Sequence, residues 1–257
     1  MVEGQETIES SLHLSLAEHL NTEMALRTIV CVEDAIAWVK STFLWVRLQQ
    51  KPDFYQDRIS SKSLREDFNG YRTIQENLEE WVRFVLDDMF ANGIIIQSNG
   101  ELFTTKLGKT LCLHRTNFET MKLFTQLDEG SDFYMTFRTL CSATEFENVV
   151  LRRGEKRALN ELNKNEKIVK HSIGKLVRDS VDKICVLFQA LFSGHKFEDW
   201  SLRTEATSLL PPALRIIRCM ITFFEERKWG IPLLHAIHLS QCLDSHMWYD
   251  SKYVCPQ

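Results

Sequence analysis

The chain has 257 residues, 44% of them apolar and 26% charged, with a formal net charge of −4. That balance excludes a mainly disordered chain and a polycation, and the length allows one large domain or two small ones, of which two is the expectation. No apolar run approaches the ~18 residues a membrane span needs, and the acidic, polar stretch 1–10 lacks the basic start and apolar core of a signal peptide, so no membrane partner is expected.

Leu12, Leu16, Leu20 and Met24 recur at four-residue steps behind Ser10 and Ser11, which predicts a helix over 12–26. Ala35, Trp38, Val39, Thr42, Phe43 and Val46 then repeat at three and four after Glu33 and Asp34, predicting a second helix that Pro52 keeps from running on. The polar interval 49–69 reads as an exposed excursion. Leu78, Trp81, Val82, Val85, Leu86, Met89 and Phe90 predict a third helix, with Gly93 placed to end it in a left-handed cap. Residues 94–97 and 101–104 flank Asn99-Gly100, a dipeptide suited to a type I′ turn because both central residues need positive φ, so a two-stranded hairpin follows. Helices followed by a hairpin wing are the winged-helix pattern, which a generic helix pair with an accessory hairpin would share. Beyond Lys106 the chain reads as helix over 107–115, 118–127, 133–142, 155–162, 180–192, 212–228 and 231–245, with a turn at 128–132. The expected fold is mainly α: a winged-helix unit with a small β-hairpin wing over 10–112, then an α-helical bundle over 113–257.

Within the bundle, Pro211 and Pro212 suit the first turn of the 212–228 helix, where a missing N–H has no intrahelical partner. Leu210, Leu214, Ile217, Ile221 and Phe224 form its predicted inward stripe, while Arg215, Arg218 and Thr222 fall at i, i+3, i+7 on another face. At about 1.5 Å per residue this helix would span ~25 Å. A second concentration of charge opens at Arg152, Arg153 and Lys156: between Arg152 and Arg178 nine Lys/Arg stand against three Glu. Such a stretch on an acidic chain can meet phosphates, and a solvated connector can carry the same composition.

Several chemistries have no residues to carry them. Gly108-Lys109-Thr110 partly matches a phosphate loop, but Phe103 stands where the leading glycine belongs and no DExH-type box occurs, so no ATP hydrolysis by this chain alone is expected. His235, His238, Cys242 and His246 fall at i, i+3, i+7 and i+11 of one helix, yet a straight helix cannot wrap four ligands around one ion, and no metal site is expected. The seven cysteines (Cys31, Cys112, Cys141, Cys185, Cys219, Cys242, Cys255) are scattered, never in CxxC spacing, and suit buried thiols in a reducing compartment. No GxSxG elbow occurs and no catalytic residue is proposed.

Several segments in order resemble the post-motor region of Ski-type superfamily-two helicases with a Sec63-type domain. Ser10-Ser11-Leu12, His19-Leu20-Asn21-Thr22-Glu23, Asp34-Ala35-Ile36-Ala37-Trp38-Val39, Thr42-Phe43-Leu44-Trp45-Val46-Arg47 and Lys51-Pro52-Asp53-Phe54-Tyr55 are similar to the start of its winged-helix unit. Thr105-Lys106-Leu107-Gly108-Lys109 resembles the step out of the wing and accounts for the partial phosphate-loop match. Ser142-Ala143-Thr144-Glu145-Phe146-Glu147-Asn148, Leu151-Arg152-Arg153-Gly154-Glu155-Lys156, Ala213-Leu214-Arg215-Ile216-Ile217-Arg218-Cys219 and Met247-Trp248 resemble its helical bundle. The likeness covers about residues 10–250. It is strongest to the meiotic crossover helicases, ahead of the spliceosomal and activating-signal-cointegrator branches.

This resemblance implies an accessory nucleic-acid-engaging region of an ATP-dependent 3′–5′ DNA helicase of meiotic recombination, located in the nucleus. It implies a winged helix that braces a motor and a ratchet helix, here 212–228, that lies along the translocating single strand. Arg215 and Arg218 are carried over as strand contacts, assisted by Arg152, Arg153 and Lys156; the outward face continues with Thr222 and Glu225 and carries no aromatic. The implied partners are single-stranded DNA, bound weakly, and helicase motor domains in cis or in trans. ATP and magnesium belong to those motor domains, so no cofactor is expected in this chain, which the resemblance makes a fragment or a motorless paralogue. The alternatives are a motorless protein–protein interaction module and the equivalent region of an RNA or spliceosomal helicase.

Overall fold

The structure, a computed structural model, describes residues 8–55 and 73–251. It divides into two compact units, Met1–Leu113 and His114–Gln257.

In the first unit a 3₁₀ turn at Leu12–Leu14 precedes α1 (Leu16–Ala25), so the α-helix begins a turn later than the apolar spacing predicts. The single stripe predicted from Ala35 to Val46 makes two helices, α2 (Val32–Lys40) and α3 (Phe43–Gln50). Ser41 and Thr42 cause the break: their hydroxyls donate back to the carbonyls of Trp38 and Val39, each at 2.7 Å, and Thr42 adopts an extended backbone. Residues 52–55 are helical again, and Tyr55 is fully buried, with its hydroxyl donating to Glu9 at 3.0 Å and accepting from Ser10 N at 2.8 Å. The exposed excursion expected from residue 49 therefore fails at Tyr55, and its part from 56 to 69 lies outside the described residues.

Helix α4 (Ile74–Ala91) starts in a capping box: Thr73 Oγ1 accepts from Glu76 N and Glu76 Oε2 accepts from Thr73 N. It buries Leu78, Trp81, Val82, Leu86 and Met89 and is followed by Gly93 at φ +71. Strands β1 (Ile95–Ser98) and β2 (Glu101–Thr104) pair antiparallel with Ser98 opposite Glu101, and Asn99 and Gly100 take φ +51 and +84 in the turn between them. Leu102 N donates to Val30 O at 2.8 Å, tying the wing to the segment between α1 and α2. The following helix, α5 (Lys106–His114), contains the GKT sequence. A Cβ at Gly108 would lie 2.5 Å from Ile94 O and 2.7 Å from Thr104 Cγ2, so this glycine serves close packing against the hairpin, while Thr110 Oγ1 donates to Lys106 O within the helix.

The second unit holds α6 (Phe118–Phe124), α7 (Phe133–Cys141), α8 (Lys156–Asn163), α9 (Ser180–Phe192), α10 (Trp200–Ser208), α11 (Leu210–Arg227) and α12 (Gly230–Ser245). Helix α10 is absent from the sequence prediction. Its only buried side chains are Leu202 and Ala206, too few to print a period, and it is started by Asp199, whose Oδ1 accepts from Ser201 N at 2.7 Å. Helix α9 is buried almost along its whole length and packs against α7, α8 and α10; α11 packs against α12, α6 and α7. Phe124, Phe137, Phe188, Phe192, Phe223 and Phe224 fill the core, and Trp248, past α12, is anchored by Nε1 donating to Ser193 Oγ at 2.9 Å. The stretch Trp200–Arg227 is long and apolar enough, by length and composition, to cross a membrane; half of its apolar 18-residue window is buried, with Ala213, Ile216, Met220 and Phe223 in the core of this unit, and core packing accounts for its hydropathy. The described cysteines are free, and four of them, Cys141, Cys185, Cys219 and Cys242, are buried.

Candidate nucleic-acid interface

Helix α11 begins with prolines in its first turn and ends at Lys228 in a left-handed cap at φ +59. Its inward face is rotated from the predicted stripe. Ala213, Ile216, Ile217, Met220, Phe223 and Phe224 are buried, whereas Leu214 and Ile221 are only half-buried, because the helix is covered by α12 on one side and by α6 and α7 on another. Arg218 is exposed and Arg215 half-buried on the remaining side. Arg215 Nη1 donates to the carbonyl of Arg115 at 3.4 Å, which sets the guanidinium against an exposed residue at φ +49 just beyond α5. His114 is held below the ordinary histidine pKa first by burial and then by the charge of Arg218. Thr222 Oγ1 donates to Arg218 O within its own helix. The structure therefore gathers His114, Arg115, Arg215 and Arg218. Sequence reasoning misses the first two because they precede the arginines of α11 by about a hundred residues, and no periodicity links them.

Arg152 and Arg153 lie on a separate, exposed turn ahead of α8, and Lys156 is the exposed first residue of that helix. One carboxylate oxygen, Glu155 Oε1, accepts from Arg152 N at 2.7 Å and from Lys183 Nζ at 2.5 Å. Lys183, on α9 and wholly buried, also donates to Val150 O at 2.9 Å and forms a 2.7 Å ion pair with Glu205 Oε2, a contact of charge without hydrogen-bond geometry. The guanidinium of Arg152 reaches α10, donating to Ser201 Oγ at 2.7 Å. Further along the basic stretch, Arg157 pairs with Glu161, Lys170 with Asp250 and Lys175 with Asp182. Three of the nine basic residues of that stretch are thus ion-paired within the unit, and Arg152, Arg153 and Lys156 are exposed at its start.

Next to Arg152 the outer face of α10 carries Trp200, Arg203, Thr204, Thr207 and Ser208, lining an open cleft of about 580 Å³. Elsewhere the four side chains weighed as metal ligands serve packing or end the helix. His238 stacks flat on Tyr249 at 4.1 Å between ring centres, His235 meets Phe133 edge-on, Cys242 Sγ accepts from Tyr249 N at 3.2 Å, and His246 caps α12 at φ +55.

Comparison with known proteins gives two family matches: the Sec63 Brl domain over residues 104–257 and a Winged Helix-turn-helix domain over residues 9–96. The whole chain is 32% identical to the Probable ATP-dependent DNA helicase HFM1 of Xenopus tropicalis over 262 residues, covering 19% of that protein. It is 25% identical over 271 residues to the ATP-dependent DNA helicase MER3 of Saccharomyces cerevisiae, again over 100% of this chain and 22% of the relative. Over 94% of its length it is 28% identical to the human Activating signal cointegrator 1 complex subunit 3, covering 11% of that protein. The chain therefore spans about a fifth of the length of the two DNA helicases.

Proposed function

The chain belongs to the Sec63 Brl domain family, and from that premise we propose that it is the accessory, strand-engaging region of an ATP-dependent 3′–5′ DNA helicase of meiotic recombination, acting in the nucleus. The observation that carries this reading is the placing of Arg215 and Arg218 on the side of α11 not taken up by the core, beside Arg115. Guanidiniums along one helix face can donate to successive phosphates of a single strand, a contact without base identity and hence with little sequence preference. The helicase names of the relatives support a nucleic-acid partner, and motor domains in cis or in trans would supply the ATP and magnesium chemistry. In this proposal the chain itself supplies no cofactor site; it supplies positioning and charge.

The test is fluorescence anisotropy with a labelled single-stranded oligonucleotide over a salt series. We expect the wild type to bind in the range of roughly 10⁻⁴ to 10⁻⁶ M at physiological salt, with affinity falling as salt rises, since phosphate contacts release counterions. The double variant Arg215→Ala/Arg218→Ala should bind more weakly, with a log–log salt slope shallower by about 1 for each phosphate it no longer neutralises. Equal binding by the two folded proteins at every salt concentration overturns the reading in favour of a protein-interaction module.

A further inference from the structure

We propose that the outer face of α10 is a nucleobase-stacking site, with the indole of Trp200 as the platform and Arg203 and Arg152 as the phosphate contacts flanking it. The inference rests on the strand-engaging reading above and adds to it a second contact surface, on different residues.

Trp200 is 76% exposed, an unusual state for a large aromatic ring in a unit that buries Trp248 and the phenylalanines of its core. The ring is not on a loose tail: it occupies the first position of a helix whose N-cap, Asp199, is bonded to Ser201 N. Around it the face at i+3, i+4, i+7 and i+8 presents Arg203, Thr204, Thr207 and Ser208, so the indole stands above a cleft floored by short hydroxyl side chains. A flat base can enter beside a ring left this exposed, and the hydroxyls can hydrogen-bond sugar or phosphate oxygens.

The charge around the ring fits a polyanion. Arg203 lines the cleft, and Arg152 is fixed one residue from Trp200 by its 2.7 Å bond to Ser201 Oγ, with Arg153 and Lys156 exposed beyond it. Two carboxylates that could oppose a phosphate here, Glu155 and Glu205, are turned inward onto buried Lys183. Asp199 remains, engaged in the helix cap, and Glu198 is exposed beside it. An aromatic platform between guanidiniums is the combination that sequence-tolerant single-strand binding uses, because every base has a π face and every nucleotide a phosphate.

The experiment uses the full chain and two labelled oligonucleotides of equal length and phosphate count, one oligo-dT and one abasic. Trp200→Ala should weaken oligo-dT binding roughly 5- to 150-fold while leaving abasic binding unchanged, and Trp200→Tyr should recover most of the loss. Quenching of tryptophan fluorescence on adding unlabelled oligo-dT, lost in Trp200→Phe, reports the stack directly. Trp200 is exposed, so matching thermal melts will show that the variants fold. Unchanged oligo-dT affinity in Trp200→Ala, with Arg215→Ala/Arg218→Ala still weakened, overturns the stacking site alone and assigns the Trp200 face to a protein partner. Failure of the wild type to bind either oligonucleotide overturns both this inference and the reading beneath it.

Discussion

Replacing Lys183 by Met should destabilise the second unit more than any surface substitution could. The ammonium group is 0% exposed and holds three groups at once: Glu155 Oε1 at 2.5 Å, Glu205 Oε2 at 2.7 Å and Val150 O at 2.9 Å. Removing it leaves two carboxylates with little access to water and no counter-charge, and breaking a buried pair by deleting one partner costs about 3–5 kcal/mol. For a unit of this size each kcal/mol corresponds to roughly 2–4 °C, so the midpoint should fall by about 6–20 °C. The perturbation also reaches the interface, because the same Glu155 oxygen caps Arg152 N and the same lysine fixes Val150, two residues before it. Thermal denaturation of the full chain followed by circular dichroism reads the effect. A control separates charge from packing: Lys183→Met combined with Glu155→Gln and Glu205→Gln removes the uncompensated charges and should recover most of the loss, as apolar or neutral replacements of buried ion clusters often do. A single variant melting within a degree or two of wild type, or a triple variant melting no higher than the single, would refute the reasoning.

Two further perturbations probe each unit separately. Gly108→Ala sets two effects against each other: alanine favours helix by about 1 kcal/mol, but its Cβ would meet the backbone oxygen of Ile94 at 2.5 Å and Thr104 Cγ2 at 2.7 Å, so overpacking of about 1–3 kcal/mol should win. Urea unfolding should show net destabilisation of the first unit, and a stabilised variant would mean the hairpin shifts freely. In the second unit, burial holds His171 and His235 below the ordinary value of 6.5, against the pull of Asp132 on both and of Asp250 on His171, while Lys170 and His238 add to the lowering. Because the folded pKa values lie below the unfolded ones, the unfolded chain takes up protons first, and stability should be lost as pH falls below about 6.5. The lowered carboxyls, Asp250 among them, contribute stability that is lost only at lower pH. Melting midpoints that are flat from pH 7.5 to 5.5, or lost in that range equally by His171→Gln/His235→Gln, would contradict this assignment.

What the sequence carries is local, and the structure follows it where local rules decide. Asn99-Gly100 dictates its turn through backbone sterics alone, and the apolar period of α4 survives because one face is buried along its length. Periodicity fails where a polar side chain decides the path. The stripe through Ala35 and Val46 continues unbroken across Ser41 and Thr42, and only their hydroxyl bonds to Trp38 and Val39 divide it. It fails again at α10, where Leu202 and Ala206 supply too little burial to register, so the helix bearing Trp200 goes unseen.

Charge counting has a related blindness, since it treats every Lys and Glu as surface. Glu155 belongs by sequence to a basic, solvated stretch, yet it is buried against Lys183, and that inward pairing is what leaves Arg152 oriented outward onto Ser201. The candidate interface is assembled from such long-range contacts: Arg115 with Arg215, Arg152 with α10, each joining residues far apart in the chain. A pattern of spacing can nominate Arg215 and Arg218 because they share a helix. Their neighbours across the fold emerge only when packing brings the helices together, which is why these two arginines are legible in the sequence and the aromatic beside Arg152 is not.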